Sequence, residues 1–159
     1  MSRLRLRHLA QLLRLQGLRV SVAEAEYRTR RAKCETVMAA MRERQARIED
    51  LRHQRTALFD HVATQGATEL TRFAGFASAR RACLDEALER DEYWLQDDQR
   101  ELQEAEAQAE EARQQWLRAR SRESAAQNLL DDTRRSLARD AEQRQEMEAA
   151  EQMIPGRRL

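Results

Sequence analysis

The sequence has few of the residues that end helices or fill a broad core. Four glycines and a single proline, Pro155, occur in 159 residues, and aromatic side chains make up only 4% of the chain. An ordinary globular domain needs more turn residues and more large apolar side chains, so that class is excluded. Charged residues make up 36% of the chain, and they alternate with alanine, leucine and glutamine at helical spacing. The composition therefore predicts one all-α unit built from long, solvated helices.

Cysteine and long apolar runs are also scarce. Cys34 and Cys83 are too few for a disulfide framework, and no Cys/His spacing suits a structural metal. The N-terminal segment has no strictly apolar run longer than Leu12–Leu13, far short of a signal-peptide core or of the roughly 20 residues of a membrane span. We therefore expect a soluble cytoplasmic protein without a cleaved signal.

The sequence contains no constellation that carries chemistry. A Gly-rich phosphate loop and a nucleophile with an adjacent base are both missing, and His8, His53 and His61 are too dispersed to act together. A two-helix protein also has no concave interior in which to desolvate a reaction. We expect no enzyme activity, no cofactor and no metal.

Apolar residues recur every seven positions in the first half of the chain. One column contains Leu6, Leu13, Val20, Tyr27, Cys34, Met41 and Ile48, and a second contains Leu9, Gln16, Ala23, Arg30, Val37, Arg44, Leu51 and Leu58. These are the a and d columns of a coiled coil, although polar residues interrupt the d column. The spacing predicts a helical arm over residues 4–62.

The second half repeats this spacing with smaller residues and predicts a second arm over residues 79–154. One column contains Leu88, Leu95, Leu102, Ala109, Trp116, Glu123, Leu130 and Leu137, and its partner contains Leu84, Asp91, Asp98, Ala105, Ala112, Ala119, Ala126, Thr133, Asp140 and Met147. Alanines let two helices approach closely and leave room for a large residue opposite. We therefore expect Trp116 to face Ala23 and Tyr27 to face Ala112.

Residues 64–78 contain the cluster of helix-breaking and capping residues that predicts a bend between the arms. Gly66 and Gly75 weaken a helix, while Thr64, Thr68 and Ser78 are residue types that cap a helix start. A bend between the two glycines pairs residues whose numbers add up to about 140.

Charge favours an antiparallel arrangement of the arms. In this register Arg30 faces Glu110, Arg44 faces Asp98 and Arg55 faces Asp85, whereas a parallel pairing would leave seam charges without partners. Residues 28–55 carry nine basic and four acidic side chains, and residues 84–112 carry two basic and twelve acidic ones. The predicted fold is an elongated antiparallel two-helix coiled-coil hairpin that forms a single unit over residues 1–159.

The same register leaves the C-terminal helix without a partner. Residue 6 faces about residue 134, so nothing faces residues 140–154 until Pro155–Gly156 stops the helix. An isolated helical end is marginal in water, and we therefore expect this segment to bind another protein.

The chain resembles a known family. A short, highly charged two-helix protein with Phe73-x-x-Phe76 after a Gly/Thr-rich bend, and with the C-terminal run Gln143–Ala149, is similar to the stalk proteins of type III export ATPases, the FliJ/YscO/HrpO-like group. This resemblance implies a non-enzymatic stalk of a bacterial type III secretion apparatus that couples a hexameric secretion ATPase to the export-gate membrane protein. It implies secretion chaperones as further partners, and a cytoplasmic location with peripheral association to the inner membrane through the apparatus.

The resemblance assigns contact residues by position. Phe76, with Phe73 before it, matches the gate-contacting aromatics, whereas Arg80, Cys83 and Ala87 differ in type from the later contact positions of the flagellar member. Residues 139–151 match the ATPase-facing end. The ATPase contacts implied are Arg139, Arg144, Met147 and Glu148.

Three other interpretations remain open at this point. Phe73 and Phe76 would pack as a hydrophobic plug under the bend if they are core residues. The polar interruptions of the seam allow a self-oligomerising scaffold instead of a monomeric hairpin. The arginine-rich, leucine-rich N-terminus is also a basic amphipathic helix, which can adhere to an anionic membrane or to nucleic acid; nucleic acid is disfavoured because no base-stacking aromatics accompany the arginines.

Overall fold

Two helices account for the part of the chain that the structure describes. The computed structural model describes the backbone of residues 2–64 and 67–152, and the side chains of residues 4–64 and 73–152. Helix α1 is Ser2–Thr64 and helix α2 is Ala67–Gln152. The helices pack against each other, which confirms the predicted all-α two-helix hairpin.

The helix boundaries differ from the predicted ones around the bend. Helix α2 begins at Ala67 instead of near residue 79, so Gly75 and Ser78 lie inside it. A Cβ on Gly75 would meet nothing within 4 Å, and a helix tolerates such a glycine at a cost of about 1 kcal/mol. Thr64 ends α1, where its hydroxyl donates to the carbonyl oxygens of Asp60 and His61 at 3.0 and 3.1 Å. Gly66, the side chain of Thr68, the predicted end near 154 and the Pro155–Gly156 stop lie outside the described residues.

The packing between the helices divides into two units. The terminal unit comprises Met1–Tyr27 and Glu111–Leu159, and the bend unit comprises Arg28–Glu110. The prediction that the whole chain forms a single coiled-coil unit stays a prediction.

Up to Leu137, the predicted a and d columns are the least exposed positions in both units. The last two predicted column positions, Asp140 and Met147, are exposed and do not belong to the seam. The buried residues of the bend unit are Cys34, Val37, Ile48, Leu84, Leu88, Asp91 and Ala105, and those of the terminal unit are Gln16, Ala112, Ala126 and Leu130. All of them lie in the predicted columns, and this confirms the assignment of the seam. Because alanine fills much of the α2 side, the apolar area that the seam buries is small.

Contacts across the bend unit confirm the antiparallel register. Arg44 Nε donates to Asp98 Oδ2 at 2.6 Å, and Arg55 Nη1 lies 3.4 Å from Asp85 Oδ1, as predicted. Arg30 Nη1 donates to Gln108 Oε1 at 2.7 Å, two residues before the predicted Glu110.

Tyr27 and Trp116 stack in the terminal unit. Their ring centroids are 5.8 Å apart and their planes differ by 8°. The sequence predicted that each ring faces an alanine, and it did not predict this stack of the two rings. Side chains on a helix lean towards its N-terminus, so in an antiparallel pair the two rings lean towards each other.

Among the described side chains of the bend unit, Arg44 forms the most buried ion-pair cluster. Its side chain is only 14% exposed, and besides Asp98 it lies 3.8 Å from Asp91, whose side chain is 13% exposed. The guanidinium also lies over Trp94, 5.2 Å from the ring centroid. Removal of one member of a buried ion pair leaves a charge without compensation, while replacement of all members by apolar residues is often neutral or stabilising.

Removal of one charge of the cluster and replacement of all three charges should therefore have different effects on stability, and this difference tests the seam. Arg44→Met should lower the free energy of unfolding by about 3 kcal/mol, because Asp98 loses its partner and Asp91 keeps only Arg47, 3.7 Å away. The triple replacement of Arg44, Asp91 and Asp98 by leucine should be at least as stable as the natural chain. Urea unfolding followed by circular dichroism measures both. An unchanged Arg44→Met variant would show that the cluster does not contribute to stability.

Candidate functional site

All three phenylalanines of the chain line one open groove in the bend unit. Phe59 lies on α1, and Phe73 and Phe76 lie three residues apart on α2. Their exposed fractions are 69%, 55% and 70%. The groove has a volume of about 860 Å³. Large aromatic side chains held this far in solvent are typical of protein-binding surfaces.

Aliphatic side chains form the floor of this phenylalanine groove and charged ones form its rim. Leu58, Val62 and Ala77 are half-buried beside the rings. On the rim, Asp85 pairs with Arg55 at 3.4 Å and with Arg81 at 3.7 Å. An apolar centre with a polar rim matches the organisation of a protein interface.

Phe73 and Phe76 are therefore surface residues and do not form a plug under the bend. Sequence reasoning missed Phe59 as the third member of the groove. The available signal was its position next to Leu58 of the d column, which places an aromatic ring outside the seam in a chain that has only three phenylalanines.

The predicted ATPase contacts lie on a fully exposed stretch of α2 in the terminal unit. Every described residue from 138 to 152 is exposed, which is the unpartnered helix that the register predicts. Arg139, Arg144, Met147 and Glu148 all lie on it, and Met147 is 64% exposed. The four residues lie along one exposed helical segment, and they do not converge on a concave site.

Exposed leucines occupy the start of α1. Leu6, Leu9 and Leu13 are half-buried in the seam as predicted. Five other apolar side chains are 40–70% exposed: Leu4, Leu12, Leu15, Leu18 and Val22. No helix in the described part of the chain is long and apolar enough to span a membrane.

Outside the groove, the described residues include the two cysteines, dispersed histidines and carboxylates, and the exposed Trp94. Cys34 is buried in the a column and Cys83 is exposed, and both are free thiols. Among the described residues no group of three or more His, Cys, Asp or Glu side chains could hold a metal ion. Trp94 is 52% exposed and flanks the seam beside Arg44.

Comparisons with protein-family models, with curated proteins and with solved structures found no match for this chain.

If the rings of the phenylalanine groove lie at the surface and are not packed in the core, they should contribute little to the free energy of unfolding. The double change Phe73→Ala and Phe76→Ala should alter the free energy of unfolding by less than about 1 kcal/mol. Ile48→Ala, at a seam position only 3% exposed, is the matched control and should cost about 2–5 kcal/mol. Thermal and urea unfolding of the three proteins measure this difference, and a loss of several kcal/mol in the phenylalanine variant would mean that the rings are packed.

Proposed function

We propose that the protein is a non-enzymatic coiled-coil stalk of a bacterial type III secretion apparatus, which couples a hexameric export ATPase to the export gate. The observation that carries this proposal is the phenylalanine groove, because Phe73 and Phe76, the residues that the family resemblance assigns to the gate, are solvent-exposed beside the junction of the two helices. Exposed rings at this position favour contact with another protein chain.

The groove supports a protein partner in preference to a small molecule. It is open to solvent and spans two helices, and its three rings offer separate anchors instead of one enclosed pocket. Aromatic anchors surrounded by a charged rim fit a helical or looped segment of another protein. The proposed occupant is the cytoplasmic part of the export-gate membrane protein.

The exposed end of α2 supports the second half of the proposal. Residues 138–152 alternate acids, bases and glutamines around the helix, with Met147 as the largest apolar side chain among them. A stalk inside a ring of subunits must exchange contacts from one subunit to the next, and many weak polar contacts allow this better than one deep apolar anchor. The flexible thioether of Met147 adapts to changing neighbours.

This assignment places the protein in the cytoplasm, attached to the inner membrane through the secretion apparatus, with secretion chaperones as further partners.

Truncation separates the ATPase contact from the fold. A chain that ends after Ala138 keeps every buried seam residue, so its helices should remain packed while its stimulation of the cognate ATPase is lost. The measurement is the rate of ATP hydrolysis by the purified ATPase with the full-length and the truncated protein. Partial truncations should lose more stimulation at higher salt, because their remaining contacts are polar.

The matched control ends after Gln152 and keeps the whole described helix. It should stimulate the ATPase as the full-length chain does. Equal stimulation by the chain that ends after Ala138 would exclude residues 139–159 from the coupling role.

A further inference from the structure

Helix α1 carries apolar side chains on two opposite faces in the terminal unit. The half-buried residues of the face that packs against α2 include Leu6, Leu13 and Val20. A second apolar set lies two positions away from these residues and consists of Leu4, Leu15, Leu18 and Val22. Two residues turn a helix by about 200°, so the second set points away from α2. We call these four residues the outer stripe of α1.

The outer stripe is open to solvent. Its four side chains are 55–70% exposed, in the same range as the rings of the phenylalanine groove. Leu15, Leu18 and Val22 follow one another at steps of three and four residues and form a continuous ridge, which Gln11 separates from Leu4. The stripe extends over about 27 Å, at 1.5 Å per residue. An exposed apolar ridge of this length is typical of an interaction surface.

Arginines flank the outer stripe on both sides. By helical geometry Arg7 and Arg14 lie along one edge and Arg5 and Arg19 along the other, and all four are exposed. Residues 1–23 contain five arginines and residues 112–122 contain four, and neither segment contains an aspartate or a glutamate. Glu123 approaches α1 from the seam side, where its Oε1 is 3.2 Å from the position of a Cβ on Gly17. The outer stripe therefore lies on a basic surface.

An apolar ridge between two basic edges is the form of a helix that lies in the surface of a membrane. The leucines enter the boundary between headgroups and acyl chains, while the long arginine side chains extend to the level of the phosphates. Either signal alone gives weak, reversible adhesion. Together they give stable adhesion to a membrane that contains anionic lipids, because apolar burial and electrostatic attraction act on the same helix.

We propose that the outer stripe of α1 binds the surface of an anionic membrane. A second copy of the chain that docked through the same stripe would bring two sets of arginines together, and like charges across an interface are unfavourable. A nucleic acid would attract the arginines through its phosphates but would leave the leucines in water. An anionic lipid surface accounts for the leucines and the arginines together. The site does not depend on the coupling role proposed above.

Co-sedimentation with vesicles tests the outer stripe on the full-length protein at near-physiological ionic strength. The natural chain should sediment with phosphatidylcholine vesicles that contain phosphatidylglycerol, and not with phosphatidylcholine alone. The double change Leu15→Gln and Leu18→Gln should weaken this binding about tenfold or more, because two leucines no longer enter the lipid. The double change Arg14→Gln and Arg19→Gln should weaken it by a similar factor, because the attraction to anionic headgroups falls.

The matched control is Leu117→Gln with Leu129→Gln. These leucines lie on α2 in the same unit and are 46% and 51% exposed, but they do not belong to the outer stripe. The control should bind the anionic vesicles as the natural chain does. Circular dichroism checks that each variant is folded. If the Leu15/Leu18 variant is not, Leu4→Gln with Val22→Gln replaces it and should also weaken binding.

Several results would overturn the proposal. One is a natural chain that does not sediment with the anionic vesicles. Another is unchanged binding in the folded outer-stripe variant, or an equal loss in that variant and the control, since adhesion would then not depend on the stripe. Without vesicle binding, a dimeric mass by light scattering that the Leu15/Leu18 change abolishes would assign the stripe to a second copy. Binding to a DNA duplex in place of vesicles would assign the arginines to nucleic acid.

Discussion

The pairing of Arg44 with two aspartates constrains the bend unit more than any other interaction. Asp91 and Asp98 are one heptad apart in the same column of α2, and Arg44 contacts both from the opposite helix. A slip of one heptad in either direction would place Arg44 near Leu84 or Ala105 and leave at least one buried carboxylate without its arginine. Apolar seams rich in alanine tolerate such slips, so charge specifies the register here and burial supplies the stability.

Because the charges set the register and the buried seam provides the stability, much of the surface is free for other contacts. The buried seam of the bend unit is filled by aliphatic residues such as Ile48, Leu84 and Leu88, and the three phenylalanines remain exposed outside it. Residues 138–152 at the end of α2 are exposed as well. Exposed aromatic rings and an uncovered helix each favour a protein partner, and the proposed stalk role assigns a different partner to each.

Heptad spacing was sufficient to predict the seam and the Arg44–Asp98 pair, because a period of seven fixes which residues face the partner helix and opposite charges then select the register. Spacing alone could not predict that α2 begins at Ala67, since helix propensity penalises Gly75 only weakly. It also missed the Tyr27–Trp116 stack, which depends on how side chains lean along an antiparallel pair, and the inclusion of Phe59 in the groove, which depends on surface geometry.

The coupling claim is tested most directly by the assembly of a three-component complex. The full-length protein, the hexameric ATPase and the cytoplasmic part of the export gate would be mixed, and the mass of the complex measured by size-exclusion chromatography with light scattering. We predict one complex that contains all three, which loses only the gate when Phe73 and Phe76 are alanine and only the ATPase when the chain ends after Ala138. A natural chain that binds neither partner, or variants that lose both together, would contradict the account.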